Sequence, residues 1–235
     1  MVSALPLTLA GARLRQWGRT LVGPVDLTVT AGGATIVIGP NGSGKTSLLR
    51  MMHGLGRVEG CVDWALPEAE ARTRQAYVFQ RPIVLRRSVA ANLGYPLRLR
   101  GVSRAEVAAR VDDQAARFGL RALLDQHAPS LSGGELQRLA LARALITGPE
   151  ILFADEPCAA LDGRATREIE ARLVEAAART TLVIATHDMG QARRIASQVI
   201  FLLHGAVHEA GPADAFFAGP RTEAARAFLR GDIVE

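Results

Sequence analysis

Hydrophobic positions in this chain fall into short blocks, each with a readable period. Ala34-Thr35-Ile36-Val37-Ile38, Ile151-Leu152-Phe153-Ala154 and Thr181-Leu182-Val183-Ile184-Ala185 are continuous, largely apolar runs. Runs of that length predict strands buried on both faces. Ala76-Tyr77-Val78-Phe79 reads as a fourth strand, and the mildly apolar segment from Met1 to Ala12 as a first one. Elsewhere the spacing is helical. Leu48, Leu49, Met52 and Leu55 recur on one face, with Gly54 placed to end that helix. Ser103 to Leu124 is rich in Ala, Arg and Leu with helical periodicity and no strand signal. Leu136, Leu139 and Ala140 continue a helix that Ser132 and Glu135 open as an S-x-x-E capping box. The mixture predicts an α/β fold. No apolar run, the block Val199–Leu203 included, approaches the roughly 18 residues of a membrane span.

Composition narrows the class. The 235 residues suffice for one large core, or a core with a small lobe. With 49% hydrophobic and 22% charged residues, disordered, collagen-like and coiled-coil chains are excluded. Two cysteines, Cys61 and Cys158, argue against a disulfide framework and for a reducing compartment. The net charge of +5 invites a nucleic-acid reading, but the arginines are scattered and form no basic run, so no nucleic-acid partner is expected. The 28 basic residues include a single lysine, Lys45. Arginine is a planar fork and lysine a compact point charge, so the exception marks a place where a fork does not fit.

Lys45 lies in Gly39-Pro40-Asn41-Gly42-Ser43-Gly44-Lys45-Thr46, the G-x-x-x-x-G-K-[ST] pattern of a phosphate-binding loop, set between a buried strand and a helix. Backbone N–H groups of the glycine loop and the helix N-terminus favour phosphate oxygens. Lys45 is then expected at the β- and γ-phosphates, Thr46 at Mg²⁺ and Ser47 at the α-phosphate. Hydrolysis needs more parts. The run 151–154 ends in Asp155-Glu156-Pro157, two acids at the carboxyl end of a strand, where ligands bind in open α/β sheets. Asp155 is the expected Mg²⁺ acid and Glu156 the group that polarises water. His187, after the strand 181–185, is placed for the γ-phosphate, and Gln80, after the strand 76–79, for Mg²⁺ or water. In Leu131-Ser132-Gly133-Gly134-Glu135, a capped helix accounts for Ser132 and Glu135 alone. Two glycines in a first turn cost about 1 kcal/mol each relative to Ala, and make sense if a phosphate approaches bare backbone.

The phosphate loop, Gln80, LSGGE, ILFADE and His187, in this order, resemble an ABC-type ATPase domain over essentially the whole chain. The resemblance implies a P-loop NTPase fold with a parallel core sheet, an antiparallel β edge and a helical subdomain, the core being 1–79 with 148–235 and the helical part about 84–147. It implies ATP and Mg²⁺ as cofactors, Trp17 stacked on adenine, and Ala160-Leu161-Asp162 as a loop contacting a second subunit. It further implies an ATP-bound homodimer in which Leu131, Ser132, Gly133, Gly134 and Glu135 of one copy cover the nucleotide of the other. Cys158 stands where the family often has Thr, and Lys-Thr-Ser replaces Lys-Ser-Thr.

The family spans transporter subunits, DNA-acting ATPases and translation factors. The gap between phosphate loop and LSGGE is too short for inserted coiled coils, and only one such domain is present, which favours a transporter subunit. By resemblance it docks on a separate membrane permease through Gln80-Arg81-Pro82-Ile83-Val84-Leu85-Arg86-Arg87, works with an external solute-binding protein, and lies on the inner face of the cell membrane. Met52–Leu55, Val78–Ser88, Thr186–Arg194 and Ala225–Gly231 resemble the ATPases of tungstate-type oxyanion importers, with phosphate, molybdate and polar amino acids as alternatives.

Overall fold

A computed structural model describes residues 2–159, 161–232 and 234. In chain order the elements are β1 (Leu7–Gln16), β2 (Arg19–Val29), β3 (Ala34–Ile38), α1 (Lys45–His53), β4 (Val58–Trp64), α2 (Glu68–Thr73), β5 (Gln75–Val78), α3 (Val89–Leu99), α4 (Arg104–Arg117), α5 (Gly133–Leu145), β6 (Ile151–Asp155), α6 (Gly163–Ala177), β7 (Thr181–Ala185), α7 (Met189–Ile195), β8 (Gln198–Leu203), β9 (Ala206–Pro212), α8 (Ala213–Ala218) and α9 (Glu223–Arg230). The main sheet runs β5-β6-β7-β3-β8-β9, parallel except for the antiparallel edge strand β9. A second, antiparallel sheet runs β2-β1-β4.

The central strands are apolar throughout because both faces are covered. Side chains alternate between two cores. Ile36, Ile38, Leu152, Ala154, Leu182, Ile184 and Phe201 enter one core with α3–α7. Val37, Phe153, Val183, Ala185 and Leu202 enter the other, with α1 and the antiparallel sheet. Between β5 and β6 the described residues hold helices and 3₁₀ turns, with one isolated bridge between Ser88 and His127.

The largest differences from the sequence reading lie at three boundaries, beside one-residue shifts at β5 and β6. The first strand starts at Leu7 rather than at the chain start, since Ala4 and Ser3 instead donate to the Glu150 carboxylate. Leu55 is not on the helix face: Gly54 adopts φ 83 and ends α1 at His53, leaving Leu55 39% exposed. The periodic stretch 103–124 breaks after Arg117, and Gly119 at φ 64 turns the chain into a short 3₁₀ segment. Gly54 as the stop of α1 and Ser103 as a helix start agree with the reading, the Ser103 hydroxyl accepting from Glu106 N–H at 3.3 Å.

The last residue of α1 packs edge-on against Tyr77 and Phe153, with ring centroids 5.3 and 5.6 Å away. Burial there, together with the charge of Arg72, pushes the His53 imidazole down to about 4. A base whose folded pKa is depressed stays neutral in the fold while the unfolded chain takes up a proton. Stability therefore falls as pH drops from the ordinary value of 6.5 toward 4. Replacing His53 with Phe is expected to flatten this part of the pH dependence, measured by urea unfolding at pH 7 and pH 5; an unchanged slope would show that His53 is not the group responsible.

Candidate functional site

Parallel strands in register finish together, and the chemistry sits where they finish. Val37 and Asp155 both pair with Ala185, and Val78 pairs with Ala154. The residues that follow β3, β5, β6 and β7 are therefore carried to one edge of the sheet. These are the phosphate loop, Gln80, Glu156 and His187.

The loop is shaped by glycines that no side chain can replace. At Gly39, φ is 152 and an added Cβ would lie 2.0 Å from the Leu202 carbonyl oxygen. At Gly44, φ is 102 and a Cβ would lie 2.6 Å from Val22 Cγ2. Gly44 is also the residue preceding α1, so its left-handed backbone sets the direction in which the helix N-terminus opens. The loop is anchored by Ser43, whose N–H donates to Pro40 O at 3.2 Å and whose carbonyl accepts from Gly205 N–H at 2.9 Å.

Lys45 is 7% exposed, and its ammonium donates to the carbonyls of Gly39 and Pro40 at 2.9 and 3.0 Å. Burial lowers its pKa, while Glu156 and Asp155 nearby favour the charged form. The Thr46 hydroxyl donates to Asp155 Oδ1 at 3.0 Å. Burial raises the Asp155 pKa, and the Thr46 hydrogen bond opposes that. Glu156 sits at φ 45, a strained left-handed conformation for a side-chain-bearing residue, with its N–H held by Ala185 O at 2.9 Å. Its carboxylate accepts from Gln80 Nε2 at 3.0 Å and lies 3.3 Å from His187 Nδ1. The arrangement brings a cation, a hydroxyl–carboxylate pair and a carboxylate–imidazole–amide cluster to one polyphosphate-sized edge. It can hold a nucleotide triphosphate and polarise a water beside it.

The other sequence-selected residues lie elsewhere. Trp17 and Gly18, at φ 47 and 76, form the two-residue turn of the β1–β2 hairpin, and Trp17 is 92% exposed. Ser132 caps α5 in a full capping box: Glu135 accepts from the Ser132 N–H at 2.8 Å and from its hydroxyl at 2.7 Å. Those bonds hold the Glu135 carboxyl below its ordinary range. Ser132, Gly133, Gly134, Glu135, Leu161 and Asp162 line one cavity of about 480 Å³. A Cβ on Gly133 would meet nothing within 4 Å, so its space is open rather than filled by this chain. Leu131 is buried beside the cap, and Ala160 lies outside the described residues.

Sequence reasoning missed the long-range grips. Asn92, fully buried, exchanges hydrogen bonds with Leu85 at 2.8 and 3.1 Å and accepts from Arg143 at 3.2 Å. Arg143 also donates to the Ile83 carbonyl. The segment after Gln80 is thus tied to α5, the helix that Ser132 opens. A cavity of about 310 Å³ beside it is lined by Tyr77, Phe79, Ile83, Pro96, Leu99 and Arg143, with Ile83 59% exposed. No short motif encodes such contacts.

Replacing Gly39 with Ala is expected to lower the melting temperature and abolish nucleotide binding, because a Cβ has no room beside Leu202; thermal unfolding and fluorescent-nucleotide titration measure both. A stable variant with unchanged affinity would contradict the loop geometry.

Among known proteins, a family model described as ABC transporter matches residues 22–159, which include the phosphate loop, LSGGE, Asp155 and Glu156. A tungstate uptake system ATP-binding protein of Peptoclostridium acidaminophilum is 38% identical over 91% of this chain and 100% of its own length. A phosphate import ATP-binding protein of Natronomonas pharaonis is 36% identical over 97% of this chain and 87% of its own. A methionine import ATP-binding protein of Cereibacter sphaeroides is 38% identical over 87% of this chain and 62% of its own. Among solved structures, CbiO1 of Clostridium perfringens, part of an ABC transporter complex, superimposes with TM-score 0.78 at 25% identity, covering 97% of this chain and 96% of its own. An ATP-binding cassette solved as a dimer in a post-hydrolysis state with ADP and Pi gives TM-score 0.76 at 26% identity, covering 88% and 98%. With matches of that extent, on these motifs and this sheet, the chain belongs to the ABC transporter family, as an ATP-binding member that hydrolyses ATP.

Proposed function

We propose that this chain is the ATP-hydrolysing subunit of an importer for a small oxyanion, tungstate first, working on a separately encoded membrane permease. The observation that carries the hydrolytic reading is the convergence of Lys45, Thr46, Asp155, Glu156, Gln80 and His187 on one sheet edge. The backbone of residues 39–44 and the N-terminus of α1 cradle the phosphates. Lys45 leaves the loop carbonyls for the β- and γ-phosphate oxygens, Ser47 takes the α-phosphate, and Trp17 stacks on adenine. Glu156 accepts a hydrogen bond from the attacking water and turns its lone pair toward the γ-phosphorus. His187 and Gln80 keep that carboxylate aimed and contact the γ-phosphate.

Magnesium fits the oxygen donors present. Thr46 and Asp155 are hard ligands in contact, and Gln80, bonded through its amide nitrogen to the neighbouring Glu156, carries an amide oxygen that could join them. That set suits a cation held by one carboxylate and by substrate phosphates. When bound, the ion neutralises charge on the β- and γ-phosphates.

The cavity at Ser132–Glu135, Leu161 and Asp162 is the half-site for the nucleotide of a second copy. Its open glycine and its distinct place from the phosphate loop support a head-to-tail homodimer. The apolar groove beside Ile83 is the docking place for the permease, and the Asn92–Arg143 grip carries its movements to α5. Among the described residues no helix is long and apolar enough to cross a membrane, which fits attachment through such a partner on the inner face. A solute-binding protein outside the membrane delivers the cargo, and nucleic acid has no part.

Tungstate is put first on the likeness to the tungstate uptake ATP-binding protein, 38% identical, beside phosphate and methionine import relatives at 36% and 38%. Deleting the gene is expected to remove high-affinity tungstate accumulation; normal accumulation with lost phosphate or methionine uptake would transfer the assignment to those cargoes. Lys45→Arg is expected to abolish hydrolysis despite the conserved charge, since a fork does not fit where the ammonium sits 7% exposed. Turnover at the wild-type rate would remove Lys45 from the phosphate site.

A further inference from the structure

The turn behind Glu156 is held by a buried side chain from another helix. Within it, Ala159 N–H donates to Glu156 O at 3.0 Å and Leu161 N–H to Cys158 O at 3.3 Å. Past Glu156, the Cys158 sulfur accepts from Gln191 Nε2 at 2.9 Å. Gln191 is 1% exposed and lies on α7, the helix that starts two residues after His187. The cap of that helix, Asp188, accepts from the Gln191 backbone N–H at 2.9 Å. The Gln191 amide also reaches Glu170 Oε1 on α6 at 3.5 Å. Glu170 is 7% exposed and is clamped by both arms of Arg194, one turn further along α7, at 2.8 and 2.6 Å. α6 in turn begins at Asp162, whose carboxylate accepts from Arg164 and Ala165 N–H.

Three pieces of the site are therefore joined behind it: the turn after Glu156, the helix that follows His187 and the helix that follows Asp162. We propose that Gln191, backed by Glu170 and Arg194 and received by Cys158, is a positioning residue for ATP hydrolysis. It keeps Glu156, which holds an unfavourable backbone conformation at φ 45, aligned with His187. None of these side chains touches the phosphate loop, so the network governs turnover and not nucleotide affinity. The inference rests on the roles assigned above to Glu156 and His187.

The test is steady-state ATP hydrolysis by the full chain, with melting temperatures measured in parallel. Gln191→Met keeps the volume and removes the amide. It is expected to lower kcat roughly tenfold, within the range that small misplacements of reacting groups produce, with KM for ATP unchanged. Cys158→Ala removes the acceptor and is expected to do the same, whereas Cys158→Ser restores an acceptor and is expected to recover most of the rate. The double variant Gln191→Met with Cys158→Ala should lose no more than either alone. A lowered melting temperature with normal kcat, a rise in KM instead of a fall in kcat, or additive losses would each overturn the proposal. Lys45→Arg and Glu156→Gln, run beside them, separate the two readings. If these hydrolyse normally, the site assignment itself fails; if they are dead while Gln191→Met turns over normally, only the positioning role fails.

Discussion

The cluster of Lys45, Asp155, Glu156, Gln80 and His187 depends on four parallel strands ending at one edge of the sheet. Parallel pairing fixes register residue by residue, so the ends of β3, β5, β6 and β7 cannot drift without breaking their ladders. Because both faces of these strands are buried, a one-residue slip would exchange the two cores, moving Phe153 to the face of Leu152. The cores therefore specify the register, and the register places the loop, the acids and the histidine. The functional residues need little strength of their own to stay together; the backbone delivers them to one edge.

At that edge the electrostatics are set by burial. A lysine 7% exposed and an aspartate 3% exposed sit close enough that each favours the charged form of the other, against the burial that disfavours both. Two glycines, at 39 and 44, leave backbone N–H groups bare where a methyl group would collide with Leu202 or Val22. In the proposed function a triphosphate would therefore meet a loop, a lysine and a helix N-terminus already placed by the fold.

The parts legible in the sequence were those encoded locally. The glycine spacing around Lys45, the two acids after a β-branched run and the S-x-x-E cap each require neighbouring residues only, and the capping box forms with the bonds its pattern calls for. The apolar runs gave the central strands nearly to the residue. What stayed hidden depends on contacts across the chain. Nothing near Gln191 announces a bond to Cys158, and Arg143 carries no motif that points to Ile83. Boundaries were lost where a single glycine outranked periodicity: Gly54 ejected Leu55 from its helix and Gly119 cut the periodic stretch after Arg117. Cargo is illegible for a different reason: tungstate, phosphate and methionine import proteins resemble this chain at similar identity.

In the proposed dimer, one copy's sheet edge and a second copy's Ser132 half-site close on the same nucleotide. A ligand held by both stabilises the pair by mass action, and hydrolysis releases it. Light scattering coupled to size-exclusion chromatography on Glu156→Gln tests this most directly, because Asp155, Thr46 and Lys45 still hold ATP while the water is no longer polarised. The account predicts a dimer with Mg-ATP, a monomer without nucleotide, and a monomer again when Ser132→Arg is added. Glu156→Gln protein that remains monomeric with Mg-ATP bound at tens of micromolar, roughly the scale of a weak protein contact, would contradict it.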